Sequence, residues 1–518
     1  MSEQIVDLVE AVMPGPRGGV TSELEQLHDD TQKLHDQTQA LTASTKQLQD
    51  EAVNTLITTD SKSYSSLFSQ TSRVFDTVAD MTSAPLLFDG MTCRTLGFYE
   101  VGDGGGAEYR VISSGIAANG MDVIACHGGF KAQLIKKDFR RTNVKEIGAH
   151  GDGTTDDTAV IKYSCNTANT TVFLPNGNYK VTEPINVADG VKLQGQTLYS
   201  EFAELRTRLI FEDLPEDSYA ITMGAFSEIS DIGVEGDFVS AVEDRTKIDP
   251  DKDHGGDWLT VTTHSNVSGI SGTNVTKLQN VLVSGFVNGC FLRKQGYADS
   301  VRVANCVYGF RMEGDFRAHN LQVYSCDTGI FCGGGDTELS YARIDSARVG
   351  IEQWFGGVFS DMDFDVIGEN AILCGNSTAT FSNVYAPRCC ANFVRKGDNV
   401  YWLDDPKSYA IWCRQPEHVV FSGVSIQIGN SILDEPSDRL SDARCIYVDM
   451  VGENAEKFDG IVNASVVTNR FGNVDPITIA DDKLKYLIRH ETDRQDVKAY
   501  ATFNGRVIEA SAGKTIAR

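Results

Sequence analysis

A phrase of about twenty residues recurs through the middle of the chain, and a period of that length leaves few folds open. Val281, Val301, Leu321, Ala342, Met362 and Val384 begin successive copies, and Val283, Val303, Val323, Ile344, Phe364 and Ala386 follow two residues on. Three residues further stand Phe286, Cys306, Cys326, Ala347, Ile367 and Cys389, and then Gly289, Gly309, Gly329, Gly350, Asn370 and Asn392. The copies are offset by 20, 20, 21, 20 and 22 residues. Such a period means stacked units that share one core. The first apolar pair alternates with period two, as a strand does. The Gly/Asn column predicts a turn at positive φ, where those residues cost least. Short strands and a corner in each copy predict an all-β fold, a right-handed single-stranded parallel β-helix. A leucine-rich repeat has a similar length, but its leucine-dense phrase ending in Asn is missing.

With 518 residues the chain can hold a long solenoid flanked by smaller parts. Its 48 Gly against 12 Pro suit many turns between strands. A net charge of −26 lacks the basic footprint that nucleic-acid binding needs and reads as a solvated acidic surface. The 12 Cys include no CxxC pair and no Cys/His array at zinc spacing. Cys306 and Cys326 share an inward column, so free thiols packed as small hydrophobes are expected. The opening MSEQIVDLVEAVMPG is no signal peptide, and no apolar stretch reaches the ~18–20 residues of a membrane span. The expectation is a soluble product of the cytoplasm, with no metal site and no cofactor.

Five regions follow. Residues 1–20, ending in Pro14-Gly15-Pro16-Arg17-Gly18-Gly19, read as an attachment tip. In residues 21–80, Leu27, Leu34, Leu41 and Leu48 recur every seven residues, with Leu24, Thr31, Thr38, Thr45 and Ala52 at the companion core position. That pattern predicts a parallel coiled-coil stalk. Residues 81–142 read as a small β-rich neck module, whose run Gly102-Asp103-Gly104-Gly105-Gly106 is a hairpin turn and not a phosphate loop, since the Lys-Ser/Thr of that motif is missing. Residues 143–470 form the β-helix. Thr154 or Thr155 is expected to cap its first helix, and Val172–Val181 to form two strands about an Asn-Gly turn. A long acidic loop interrupts at 237–257, and residues 471–518 look like a separate C-terminal region.

The segment GAHGDGTTDDTAVI followed by VFLPNGNYKV resembles the opening of the pectate-lyase-like β-helix superfamily. Gly151, Asp152, Gly153, Thr155, Asp156, Asp157, Thr158, Leu174, Pro175, Gly177 and Tyr179 match its motif. LGFYEVGDGGGAEYRV is similar to the neck module of bacteriophage tailspikes. Tip, stalk, neck and β-helix together resemble a tailspike or tail-fibre depolymerase over roughly residues 1–400. The resemblance implies a homotrimer in the virion, attached to a tail or baseplate protein through its N-terminus and acting on a bacterial surface polysaccharide. The superfamily also holds lyases and non-catalytic adhesins, so the fold leaves hydrolysis, elimination and plain binding open.

The inward columns fix what points outward. One outward ladder runs Arg302, Gln322, Arg343, Asp363, Tyr385, and the next runs Ala304, Tyr324, Asp345, Asp365, Pro387. With coils ~4.8 Å apart and same-face neighbours ~6.8 Å apart, Asp345, Asp363 and Asp365 should cluster. Glycoside hydrolysis needs two carboxyl groups, one protonated and one ionised, and crowding of like charges favours that division. Asp345 or Asp365 is the candidate general acid and Asp363 its partner. The spacing leaves retention and inversion both open. Arg343 is placed to orient a carboxylate or bind an acidic sugar, and Tyr324 and Tyr385 to stack on sugar rings; Trp354, after the turn expected at Gly350, is a separate candidate for a sugar platform or for packing at a corner or trimer seam. Glu313, Glu338, Glu352 and Glu369 remain further candidates. In the acidic loop, Trp258 beside His254 suggests a lid. Asp249, Asp251 and Asp253 resemble a calcium loop, but His254 stands where that loop needs Gly.

Overall fold

The structure of the chain, a computed structural model, describes residues 20–57, 72–113, 115–136, 138, 140–198, 205–241, 261–263, 265–375, 378–389, 393–396, 399–402, 409–414, 418–428, 444–449, 461–468, 488–491, 498–503, 506–511 and 514–517. The attachment tip before Val20 and the acidic-loop residues Asp249, Asp251, Asp253, His254 and Trp258 lie outside the described residues.

The repeat becomes a parallel ladder. Val281 pairs with Val301 and Val283 with Val303. Leu321 pairs with Ala342 and Val323 with Ile344, and the next coil adds Met362 and Phe364 in the same register. From Arg141 onward the described ladder strands join in one 26-stranded sheet wound as a parallel β-helix. Each coil has three faces. In the strand Thr337–Gln353 these are residues 337–340, 342–345 and 347–353, separated by bends at Tyr341 (φ 56°) and Ser346 (φ 59°). The predicted inward columns are buried along their whole length, including Cys306 and Cys326 as free thiols. Phe359, Phe381 and Phe421 stack in one inward column, with ring centroids 4.6 and 5.1 Å apart. Each such ring contributes ~1.5–3 kcal/mol by leaving water, so the stacked columns carry the fold.

The glycine column has a different cause from the one expected. Gly289, Gly309, Gly329 and Gly350 lie inside strands, and none is among the positive-φ residues. Their neighbours come too close for a side chain. A Cβ on Gly329 would stand 2.6 Å from the carbonyl oxygen of Gly350 and 2.8 Å from Ile344. A register shift puts Asn370 opposite Val349, outside the column, and Asn392 is not described. The left-handed corners instead form two other ladders. One is Asp231, Asn280, Ser300, Asn320, Tyr341, Asp361, Asn383 and Gly423, and the other Gly285, Asn305, Ser325 and Ser346. Most are Asn, Asp, Ser or Gly. The Asn and Asp among them tolerate this backbone because a short polar side chain can hydrogen-bond locally. Here the bonds run along the stack: Asn280 donates to Asp231, Asn320 to Ser300 and Asn383 to Asp361 at 2.9–3.1 Å.

Two details of the opening also differ. The first helix of the solenoid is Thr158–Cys165 with Asp157 at its N-cap, and Thr154 and Thr155 belong to the preceding strand Asp152–Asp156. Asp157 turns back to accept N–H bonds from His150 (2.7 Å) and Gly151 (2.9 Å), and Asp156 serves the N–H of Thr158. Asn176-Gly177 is a coil corner and not a hairpin. Thr171–Leu174 and Gly177–Val181 each pair parallel with strands of the neighbouring coils. Ile161 and Cys165 of the helix close the end of the core.

The neck is a five-stranded sheet with its own core around Met81, Cys93, Tyr109 and Val111. It docks on the β-helix through Tyr99, which stacks on His150 at 3.9 Å and donates to the carbonyl of Gly148. Before it, among the described residues, comes the helix Val20–Ile57. Antiparallel hairpin strands at Phe393–Lys396 and Asn399–Trp402 interrupt the later coils, which is why the period fades there. Parallel pairing continues past residue 470, with Ile461–Val466 against Lys498–Phe503, and the last described strands, Arg506–Ser511 and Lys514–Ala517, then add antiparallel.

Candidate functional site

The acidic cluster forms on the second face, in the expected register. Arg343 is the Cα partner of Asp363, Asp345 of Asp365, Tyr324 of Asp345 and Tyr385 of Asp363. The Arg343 guanidinium reaches all three carboxylates, at 3.6 Å from Asp345, 4.0 Å from Asp363 and 3.7 Å from Asp365. Exposure grades the acids: Asp365 keeps 13% of its side-chain surface, Asp345 23% and Asp363 42%. Ser346 donates to Asp345 at 2.9 Å. The Arg343 cation holds the three carboxylates together. Tyr385 is 54% exposed beside Asp363. Tyr324 is more enclosed, with the Arg302 guanidinium 5.7 Å from its ring centre.

Trp354 does not join this cluster. It lies past the second corner, at the end of the third face. There its indole N–H donates to Glu352 (2.7 Å), and Arg414 stands 5.9 Å from its ring. The turn expected before it at Gly350 falls earlier, at Ser346, and Gly350 lies inside the strand Thr337–Gln353. The other candidate acids are engaged too. Glu313 holds Arg311, Glu338 holds Arg317, and Glu369 shares Arg348 with Asp327. Burial alone would push the Arg348 guanidinium down, but the bidentate Asp327 and Glu369 outweigh it and hold it well above the usual arginine range. That triad spans three coils at the second corner. Among the described residues no group of three or more His, Cys, Asp or Glu is arranged to hold a metal ion.

A second feature was not expected. A groove of about 1080 Å³ runs along the entry to the first face. Tyr297, Arg317, Glu338, Asp315 and Asp336 line it. The backbone N–H of Asp336 donates to Asp315 at 3.1 Å, so these two acids sit one above the other. Their signal was present in the chain: Gly314-Asp315 and Gly335-Asp336 recur 21 residues apart, in step with the repeat. Thr337 and Glu338 border the groove on the same coil whose residues 342–345 carry Arg343 and Asp345, so one corner separates the two features.

Comparison with known proteins agrees with this architecture. Residues 141–352 match the family described as rhamnogalacturonase A/epimerase, pectate lyase-like. The full-length tailspike protein 2 of the Escherichia coli O157:H7 bacteriophage CAB120 is similar in structure, with a TM-score of 0.55 at 16% identity. That match covers 76% of this chain and 51% of the tailspike, so the chain spans about half its length. The enzymatically active domain of tailspike protein 2 from bacteriophage CBA120 gives a TM-score of 0.50 at 16% identity, over 80% of this chain and 60% of that one. A non-secreted LysM effector of Penicillium expansum is 34% identical over 85 residues, 16% of this chain and 6% of the effector. Residues 141–352 thus match a pectate-lyase-like family model, and the chain has a parallel β-helix fold similar to that of these two tailspike structures.

Proposed function

We propose that the chain is a phage tailspike that binds a bacterial surface polysaccharide and cleaves it by glycosidic hydrolysis during adsorption to the host. The observation that carries this reading is the set Asp345, Asp363 and Asp365 gathered around Arg343 on an outward face. Asp345 or Asp365, the less exposed pair, serves as general acid to the leaving oxygen. Asp363, open to solvent, serves as base or nucleophile. Arg343 orients the carboxylates, and Tyr324 and Tyr385 flank the sugar. Water adds across the broken C–O bond, so each cut leaves one new reducing end. Incubation with purified surface polysaccharides from candidate hosts tests this. New reducing ends without an ultraviolet-absorbing product mean hydrolysis, and an unsaturated product means a lyase. Binding with no product at all means an adhesin.

The groove favours a second reading, in which the polymer is cut at Asp315 and Asp336 beside Glu338. The double variant Asp315→Asn/Asp336→Asn separates the two. Under the first reading it weakens binding and leaves the rate at saturating substrate within about threefold, and under the second it removes cleavage.

The assembly belongs to the same proposal: a homotrimer, built in the host cytoplasm and carried on the phage tail by residues 1–20. Its support is the stalk. Leu27, Leu34, Leu41 and Leu48 are 65–69% exposed, a stripe that a lone helix leaves in water. The companion Thr31, Thr38 and Thr45 donate their hydroxyls to the carbonyls of Leu27, Leu34 and Leu41 at 2.6–2.7 Å. Their polar atoms are thereby satisfied within the helix, which makes these positions compatible with a buried seam. A peptide of residues 20–57 should gain helical signal with concentration and sediment as a trimer, and Leu34→Asn/Leu41→Asn should abolish both. A peptide that stays monomeric at millimolar concentration removes the stalk from the assembly.

A further inference from the structure

Tyr341 is out of place in its column. The corner that leads from the first face to the second is occupied, coil after coil, by Asp231, Asn280, Ser300, Asn320, Asp361, Asn383 and Gly423, all at positive φ. These residues are short or have no side chain. In one coil the position holds a tyrosine, at φ 56°. A bulky residue in the left-handed region is strained, and such strain persists where the surroundings enforce it and a function uses it. The tyrosine does not offset the strain by joining the core, since it is 59% exposed.

Its surroundings are built. His319 meets it edge-to-face, with ring centroids 5.3 Å apart and an interplanar angle of 70°. His319 is held in turn by Asp299 at 3.1 Å. An edge-to-face contact takes up at most one side of the ring. Tyr341 lies between two features on its own coil: Glu338 of the groove comes three residues before it, and Arg343 and Asp345 of the acidic cluster come two and four after.

We infer that Tyr341 is a sugar-stacking platform, a subsite that carries the polysaccharide over the corner from the groove on the first face to the carboxylates on the second. This rests on the polysaccharide reading above and adds to it where the chain crosses and which group recognises it. The ligand class is a pyranose with an exposed C–H face, since that face packs on an aromatic ring while its hydroxyls reach polar neighbours such as His319 and Ser340. A lone ring among polar side chains suits a sugar.

The test compares Tyr341→Asn and Tyr341→Phe with the wild-type chain, using an array of purified bacterial surface polysaccharides, thermal unfolding and sedimentation. Asn already occupies this corner in other coils, so Tyr341→Asn should fold, unfold a few degrees higher through relief of strain, and bind the polysaccharide at least tenfold more weakly. Tyr341→Phe should keep binding within about threefold, because it keeps the ring. If the wild type binds a polysaccharide and Tyr341→Asn binds it equally well, the platform is refuted while the function stands. If the wild type binds none, the polysaccharide reading fails and this inference with it. If Tyr341→Asn changes the sedimenting species, Tyr341 is a subunit contact and the inference is wrong.

Discussion

Asp365→Asn should lower the rate of polysaccharide cleavage by ~10²–10⁴-fold, the usual contribution of a positioned acid or base. Of the three acids around Arg343, Asp365 is the most enclosed, with 13% of its side chain exposed. That enclosure suits the group that must reach the leaving oxygen without competing water. The amide keeps the shape and removes both the titratable proton and the charge. Binding should change by less than about threefold, so the effect falls on the rate at saturating substrate. Asp361→Asn in the same strand is the control: it also removes one negative charge, but at a corner where Asn383 donates to its side chain. The rate of that variant should match the wild type. Full activity in single variants of all of Asp345, Asp363 and Asp365 would sink the second-face site and move the chemistry to Asp315 and Asp336.

Gly329→Ala should destabilise the β-helix by ~1–3 kcal/mol, the usual cost of forcing a methyl into a filled site. The sign is the informative part. At a position that tolerates alanine, the same change stabilises by ~0.4–1 kcal/mol, because it restricts the unfolded chain. Gly329 is denied that benefit by the carbonyl of Gly350 at 2.6 Å and the Ile344 side chain at 2.8 Å. Backbone on one side and a buried side chain on the other leave no cheap direction of relief. Large β-helices unfold slowly, so the measurement is the half-time of thermal inactivation at fixed temperature, which should shorten. An unchanged or lengthened half-time would show that the coils can part by the few tenths of an ångström needed, and that packing does not explain the column.

Much of the fold was legible because a solenoid writes its contacts into a period. Once Val281 and Val301 are matched, every later inward residue is fixed in register, and the outward ladders follow. That is why Arg343, Asp345, Asp363 and Asp365 could be brought together from spacing alone. The errors share one origin: they concern where the chain turns. The glycines mark close approach and not corners. The corners fall one residue ahead of the apolar phrases, on Asn, Asp, Ser and Tyr side chains that look like ordinary polar surface. Trp354 was expected to follow a turn at Gly350, and the bend at Ser346 that replaces that turn cannot be read from a period. The Asn-Gly pair at 176–177 was read as a hairpin for the same reason, since a local turn signal does not say whether the next strand returns beside the last or moves on to a new face.

The sequence by itself determined the repeat, the inward and outward alternation, the register of coil on coil and the acidic cluster. Each of these depends only on spacing along the chain and on which side chains avoid water. Only the tertiary structure decided which glycines answer to packing, where the three faces divide, and that a groove lies one corner away from the acids. Those properties depend on atoms some twenty residues apart meeting across neighbouring coils, and no local preference of the residues concerned encodes such a meeting.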